Sequence, residues 1–199
     1  MLATKTLPSN FHHQKTLDLS SSRTVLWLNL AAIPLLFLFG WFFSRVIILL
    51  RSINPFPKGF WGLLTTFSGW NLIAILLSII FMLVFHELVH GLFFWIFTHG
   101  RPKFALKSGY AFAAAPEWYL PKFQYISVGL APLVVISILS IVFAIFVPAQ
   151  IIPYLLFIAT FNAAGALGDM IVVAWVIRQS NTILVRDQGD KFSIYSAKN

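Results

Sequence analysis

Four long apolar runs limit what this 199-residue chain can fold into: roughly Val25–Ser44, Trp70–Thr98, Tyr125–Val147 and Ile151–Ile177. Each is about 20 residues or more, the length an α-helix needs to cross about 30 Å of hydrocarbon. The rest of the chain agrees: 59% of residues are hydrophobic and only 10% charged, with mean hydropathy +0.84, where a soluble domain carries about 25% charge. The runs predict an all-α polytopic membrane protein with four transmembrane helices, one membrane domain over 1–199 without internal repeats. The first run is too long for the core of a secretory signal, and polar Met1–Ser22, with His12, His13 and Asp18, reads as an uncleaved cytosolic tail. Residues 1–24 and 178–199 are the expected tails.

Fourteen Lys and Arg against six acidic residues give a net charge of +8. In so apolar a chain this excess suits membrane lipids and excludes nucleic acid as the expected partner. No cysteine is present, so disulfides, thiolate catalysis and thiolate-held metals are excluded, and any metal must be held by nitrogen and oxygen. With four crossings, eleven of the basic residues fall on the side of both tails and the loop after the second run. Only Arg45, Arg51 and Lys58 fall on the other. The positive-inside bias then puts both termini in the cytosol, in a plasma or inner membrane. Asn54–Gly59 has the Pro/Gly punctuation of a surface turn, and Phe60, Trp61 and Trp70 read as an interfacial aromatic belt.

The acidic residues sort by depth. Asp18, Asp187 and Asp190 lie in the polar tails and Glu117 in a loop, leaving Glu87 and Asp169 inside apolar runs. An ionisable group at membrane depth costs at least a few kcal/mol and marks a functional site. Glu87 stands in His86-Glu87-Leu88-Val89-His90, an HExxH pattern. On a helix, residues four apart share a face, so both imidazoles reach one ion while the glutamate lies beside it. A zinc ion held by two histidines and a carboxylate keeps a position for water and lowers that water's pKa to about 7. Glu87 is then placed to act as general base. The alternative is that His86 and His90 bond to backbone carbonyls of other helices, with Glu87 protonated.

For a third ligand, Asp169 competes with Glu117, His99 and Asn162. His90 lies eleven residues before Arg101 and Asp169 nine before Arg178, so at 1.5 Å per residue their depths differ by about 3 Å. This favours Asp169. Asn162, two turns earlier on the same face, is placed to donate to a substrate carbonyl or to bond across helices. The small residues Ala163 to Gly168 suggest close helix packing, with Gly165 and Gly168 as packing positions. Between the second and third runs, Lys103–Pro116 alternates around Ser108-Gly109 and predicts a membrane-associated β-hairpin. Its free edge offers a seat for an extended peptide, with Tyr110 and Phe112 as candidate substrate-binding residues. The other reading is an ordinary amphipathic loop. Pro132 is placed to kink the third helix.

These features together, His86–His90, Tyr110 to Pro116, Ala131-Pro132 and Asn162 followed by Gly168-Asp169, resemble the four-span family of zincin peptidases related to site-2 protease. The likeness covers roughly residues 83–177. It implies His86, His90 and Asp169 as zinc ligands, Glu87 as catalytic base, and Asn162 and the hairpin as substrate contacts. The expected function is an intramembrane zinc metalloprotease with its active site toward the cytosol, cleaving membrane-embedded or membrane-adjacent peptides. Two other classes use the same residues: a membrane ion or metal transporter, and an inactive scaffold.

Overall fold

The computed structural model describes residues 1–52, 69–107 and 110–197. The turn at Asn54–Gly59, Phe60 and Trp61, and the Ser108-Gly109 corner of the hairpin lie outside them. In chain order the elements are β1 (Phe11–Asp18), α1 (Ser22–Arg51), α2 (Gly69–Thr98), β2 (Lys103–Lys107), β3 (Tyr110–Ala114), β4 (Tyr119–Pro121), α3 (Lys122–Phe146), α4 (Ile152–Gly165), α5 (Leu167–Ile177), β5 (Ile183–Asp187) and β6 (Lys191–Ala197). Three of the helices, α1, α2 and α3, are long and apolar enough to cross a membrane, and a fourth span results if α4 and α5 are taken together. Their outward side chains remain apolar, with Trp41, Ile80, Trp95 and Phe143 all more than half exposed. Such large uncovered apolar faces are what lipid contact requires.

Local chemistry sets the helix ends. Ser21 caps α1, its Oγ accepting from Thr24 N–H at 3.1 Å. α2 ends where His99 turns to φ 51° and its N–H returns to the Trp95 carbonyl at 2.7 Å, a left-handed C-terminal stop. The expected fourth helix is broken: Ala166, whose N–H reaches the Asn162 carbonyl at 2.9 Å, separates α4 from α5. The break falls between Gly165 and Gly168, which are poor helix formers. A Cβ at either glycine would meet no neighbouring atom within 4 Å. They are therefore not the close-packing positions expected from the sequence.

The all-α expectation holds for the apolar runs and fails at the tails. β1, β6, β5 and β4 form one antiparallel sheet in that order, with Phe11 opposite Ala197, Asp18 opposite Lys191, and Tyr119 opposite Arg186. The two tails are thus strands of one sheet. Lys191 Nζ lies 3.0 Å from Asp18 Oδ2, and Asp18 Oδ1 accepts from the Ser20 N–H and hydroxyl, which with Lys191 draw its pKa down to about 2. β2 and β3 form the expected hairpin, Lys103 opposite Ala114 and Lys107 opposite Tyr110.

Contacts divide the chain into two compact units. One contains Met1–Asn29, Glu87–Pro132 and Leu167–Asn199, and its core joins helix and sheet residues such as Phe94, Leu120, Val128, Val176, Val185 and Ile194. The other contains Leu30–His86 and Leu133–Ala166, built on Phe43, Ile47, Ala144, Ile152 and Leu156. In the second unit, Arg51 ends α1 by donating from Nη1 to the carbonyls of Ala144 (3.0 Å) and Val147 (2.7 Å) at the end of α3. A cation there suits the unpaired carbonyls of a helix C-terminus. In the first, Lys122 donates to the carbonyl of Ile177, the last residue of α5, and to that of Gln179 beyond it.

Ile194, 1% exposed, pairs on both sides, with Lys15 and Val185. Replacing it with alanine should cost about 2–5 kcal/mol. The check is a clear fall in the thermal unfolding midpoint in detergent without loss of helical signal.

Candidate metal centre

α2 is apolar on nearly every face, and His86, Glu87 and His90 are its only ionisable residues. The four-residue spacing puts both imidazoles on one face, and both rings are buried, His86 at 9% and His90 at 7% exposure. Each ring is held through Nδ1. His90 Nδ1 lies 2.9 Å from the Val128 carbonyl oxygen, which only accepts, so the proton is on Nδ1. His86 Nδ1 lies 3.0 Å from Asn162 Oδ1, and the same logic puts a proton there. This leaves Nε2 of each ring as the atom that meets a further partner, as a donor while it carries a proton and as a ligand once it does not.

Asp169 occupies the first turn of α5. Its Oδ2 stands 3.4 Å from His90 Nε2, with 29% of the side chain exposed. A lone pair facing a carboxylate needs a cation between or on them, either a ring proton or a metal ion. Two ligands about 2.1 Å from a tetrahedral zinc stand about 3.4 Å apart, so the pair has the right separation. Since α2 is unbroken from 69 to 98, helix geometry fixes His86 one turn before His90. One donor atom from each of His86, His90 and Asp169 falls within 4.8 Å of the others. Two imidazoles and a carboxylate are the donor set of many zinc sites, and the Nδ1 bonds to Asn162 and Val128 are the outer partners such ligands need. These residues fit a zinc ion.

The other residues singled out from sequence fall as follows. Glu87 is half-buried on α2 between the two histidines. Asn162, 0% exposed, is the partner of His86, so the bond across helices is the one formed. Glu117 is 59% exposed and faces Lys103 at 3.2 Å, and His99 is exposed beyond α2; neither is in the donor group. Tyr110 donates its hydroxyl to Asp190 Oδ2 at 3.0 Å, and the Phe112 ring lies so close over Gly189 (φ 98°) that no Cβ would fit there. Both aromatic residues fasten the hairpin to the β5–β6 turn. At the base of the hairpin, the Phe104 ring occupies the space a Cβ at Gly91 would need, directly after His90.

Sequence reasoning missed two acids. Asp187 and Asp190, assigned to a polar tail, are 5% and 8% exposed. Asp187 accepts from the Tyr125 hydroxyl at 3.0 Å and from Gly189 N–H at 2.7 Å. Burial pushes its carboxyl up to about 7, opposed by those two bonds and by the charge of His90, with the charge of Asp169 adding to the rise. Asp187 is thus within electrostatic reach of the centre. The available signal was the apolar triplet Ile183-Leu184-Val185 just before it, which marks a buried strand.

With this geometry in place, the family comparison is decisive: a family model described as "putative zincin peptidase" matches residues 79–184. The chain belongs to that zincin peptidase family. The matched segment holds His86, Glu87, His90, Asn162 and Asp169, and it ends before Asp187. No curated protein and no solved structure matches the chain.

Two outcomes follow. Asn162→Ala frees the His86 ring and should weaken zinc binding about 10- to 100-fold, read by competition with a chromophoric chelator. For Asp187, a carboxyl whose folded pKa exceeds the unfolded value of about 3.9 holds its proton more tightly when folded. Stability of the metal-stripped protein should therefore be fullest below pH 4 and fall as pH rises toward 7. Asp187→Asn should flatten that fall in unfolding midpoints measured across the range.

Proposed function

We propose that this zincin-family chain is an intramembrane zinc metallopeptidase that hydrolyses peptide bonds in membrane-embedded or membrane-adjacent segments. The observation that carries the reading is the meeting of His86, His90 and Asp169, with Glu87 on the same helix, in a chain whose helices are long enough to cross a membrane. His86, His90 and Asp169 hold the metal. Zinc there supplies Lewis acidity, which makes water a stronger acid and polarises a carbonyl. Asn162 and the Val128 carbonyl keep the two rings oriented. Glu87 takes the proton of the water that attacks the scissile carbonyl carbon. The C–N bond then breaks, and Glu87 delivers the proton to the departing nitrogen.

The substrate reading follows from what cleavage needs. A peptide bond inside a helix is shielded by its own hydrogen bonds, so the segment must be drawn out into an extended form. The β2–β3 hairpin, a two-stranded sheet among the described strands, offers an edge to receive it. Tyr110 and Phe112 serve that role by anchoring the hairpin through Asp190 and Gly189. Both termini and the active site lie toward the cytosol, as the basic residues indicate.

The purified protein should carry about one zinc per chain. Against a pool of labelled single-span peptides in lipid vesicles, Glu87→Gln should keep the metal and lose at least a hundredfold in cleavage rate, while His90→Ala loses both. Cleavage undiminished in Glu87→Gln, or a metal-free wild type that still cleaves, overturns the proposal. Ion flux through Glu87→Gln vesicles would favour a transporter.

A further inference from the structure

Pro132 lies inside α3, ten residues past its start at Lys122. In an α-helix the N–H of each residue donates to the carbonyl four positions earlier. Position 132 therefore serves the carbonyl of Val128, and proline has no N–H to give. That carbonyl is the oxygen 2.9 Å from His90 Nδ1. Val128 is 2% exposed, so its carbonyl is shielded from water and the imidazole supplies the bond the helix withholds. A vacancy in the helix ladder and a histidine in need of an acceptor answer each other.

We infer that Pro132 is a positioning residue for His90: by withholding an N–H it reserves the Val128 carbonyl for the imidazole, which fixes the proton on Nδ1 and leaves Nε2 for the metal. The neighbouring residues support the assignment. Gly129, next to Val128, lies so close to the Val173 side chain that a Cβ would not fit. Val173 stands four residues after Asp169, on the same face of α5. One short stretch of α3 thus meets the ring of one ligand and the helix carrying another. A proline used only to bend α3 would not need its freed carbonyl to coincide with the acceptor of His90.

The consequence for zinc rests on the metallopeptidase reading above, whereas the consequence for the imidazole proton does not. Pro132→Ala restores an N–H that competes for the carbonyl while removing an unfavourable residue from a helix interior. The two effects oppose each other in measurement. Chelator competition should show zinc affinity lowered about tenfold, while the melting temperature of the metal-stripped protein stays the same or rises. Nitrogen-15 spectra of histidine-labelled, metal-stripped Asp169→Ala protein, in which no carboxylate faces Nε2 to hold a second proton there, should show His90, assigned by its loss in His90→Gln, protonated at Nδ1 when Pro132 is present and mixed between tautomers when Pro132→Ala is added.

Zinc affinity within twofold of wild type together with an unchanged His90 tautomer overturns the inference. So does weaker zinc binding that comes with a lower melting temperature and an unchanged tautomer, since that marks general loosening. If wild type binds no zinc, the metallopeptidase reading falls, and the tautomer comparison still decides the role of Pro132. As a second variant, Pro132→Ser also restores the N–H and should move both readouts in the same direction. Asp18→Asn, in the terminal sheet, should change neither.

Discussion

Imidazoles and carboxylates inside apolar helices are costly unless each polar atom meets a partner. The centre of this protein is arranged around that requirement. His90 satisfies one nitrogen with the Val128 carbonyl and points the other at Asp169, while His86 meets Asn162 through Nδ1. Each bond recruits a different element: α3 for Val128, α4 for Asn162 and α5 for Asp169. Asn162 and Asp169 stand on either side of the break at Ala166. A proline inside α3, which looks like a defect in isolation, leaves the Val128 carbonyl to His90.

The terminal sheet extends the same logic outside the apolar segments. Strands from both ends of the chain pair through β6, and the turn between β5 and β6 reaches two tyrosines, Tyr125 at the start of α3 and Tyr110 on the hairpin. That turn costs something to build. Asp187 is buried as a carboxyl with a raised pKa, and Gly189 must adopt a left-handed conformation under the Phe112 ring. Asp187 and Asp190 are costly where they stand, since an apolar residue would fill the space at lower cost. Their position beside α3 and the hairpin ties the terminal sheet to the elements that carry the chemistry.

Much of this was legible in the sequence because its signals are local. The apolar runs follow from the thickness of a bilayer, and Gly69–Thr98 agrees with the expected second span to within a residue. His86, Glu87 and His90 declare themselves by spacing along one helix, and Asp169 by depth relative to basic residues. The hairpin was visible in its alternation. What was illegible depends on partners distant in the chain. β1 is mostly polar, and nothing in His12 to Lys15 says that it pairs with residues 194–196. Asp187 and Asp190 look like solvated tail residues until β6 folds back over them. Gly165 and Gly168 carry the composition of a packing motif, but open space lies around them. The partner of Asn162 is set by the fold, which brings His86 to it, since its place on the helix alone allows either a substrate carbonyl or another helix.

The central claim is that His86, His90 and Asp169 hold one zinc ion. X-ray absorption at the zinc edge of the purified, reconstituted protein addresses it without reference to any substrate. The account predicts a four-coordinate site with the multiple-scattering signature of two imidazoles, nitrogen and oxygen ligands at about 2.0–2.2 Å and no sulfur. Asp169→Ala should change the first shell while the signature of two imidazoles persists. A protein that retains no zinc after purification in zinc-containing buffer, or a spectrum without imidazole scattering, would contradict it.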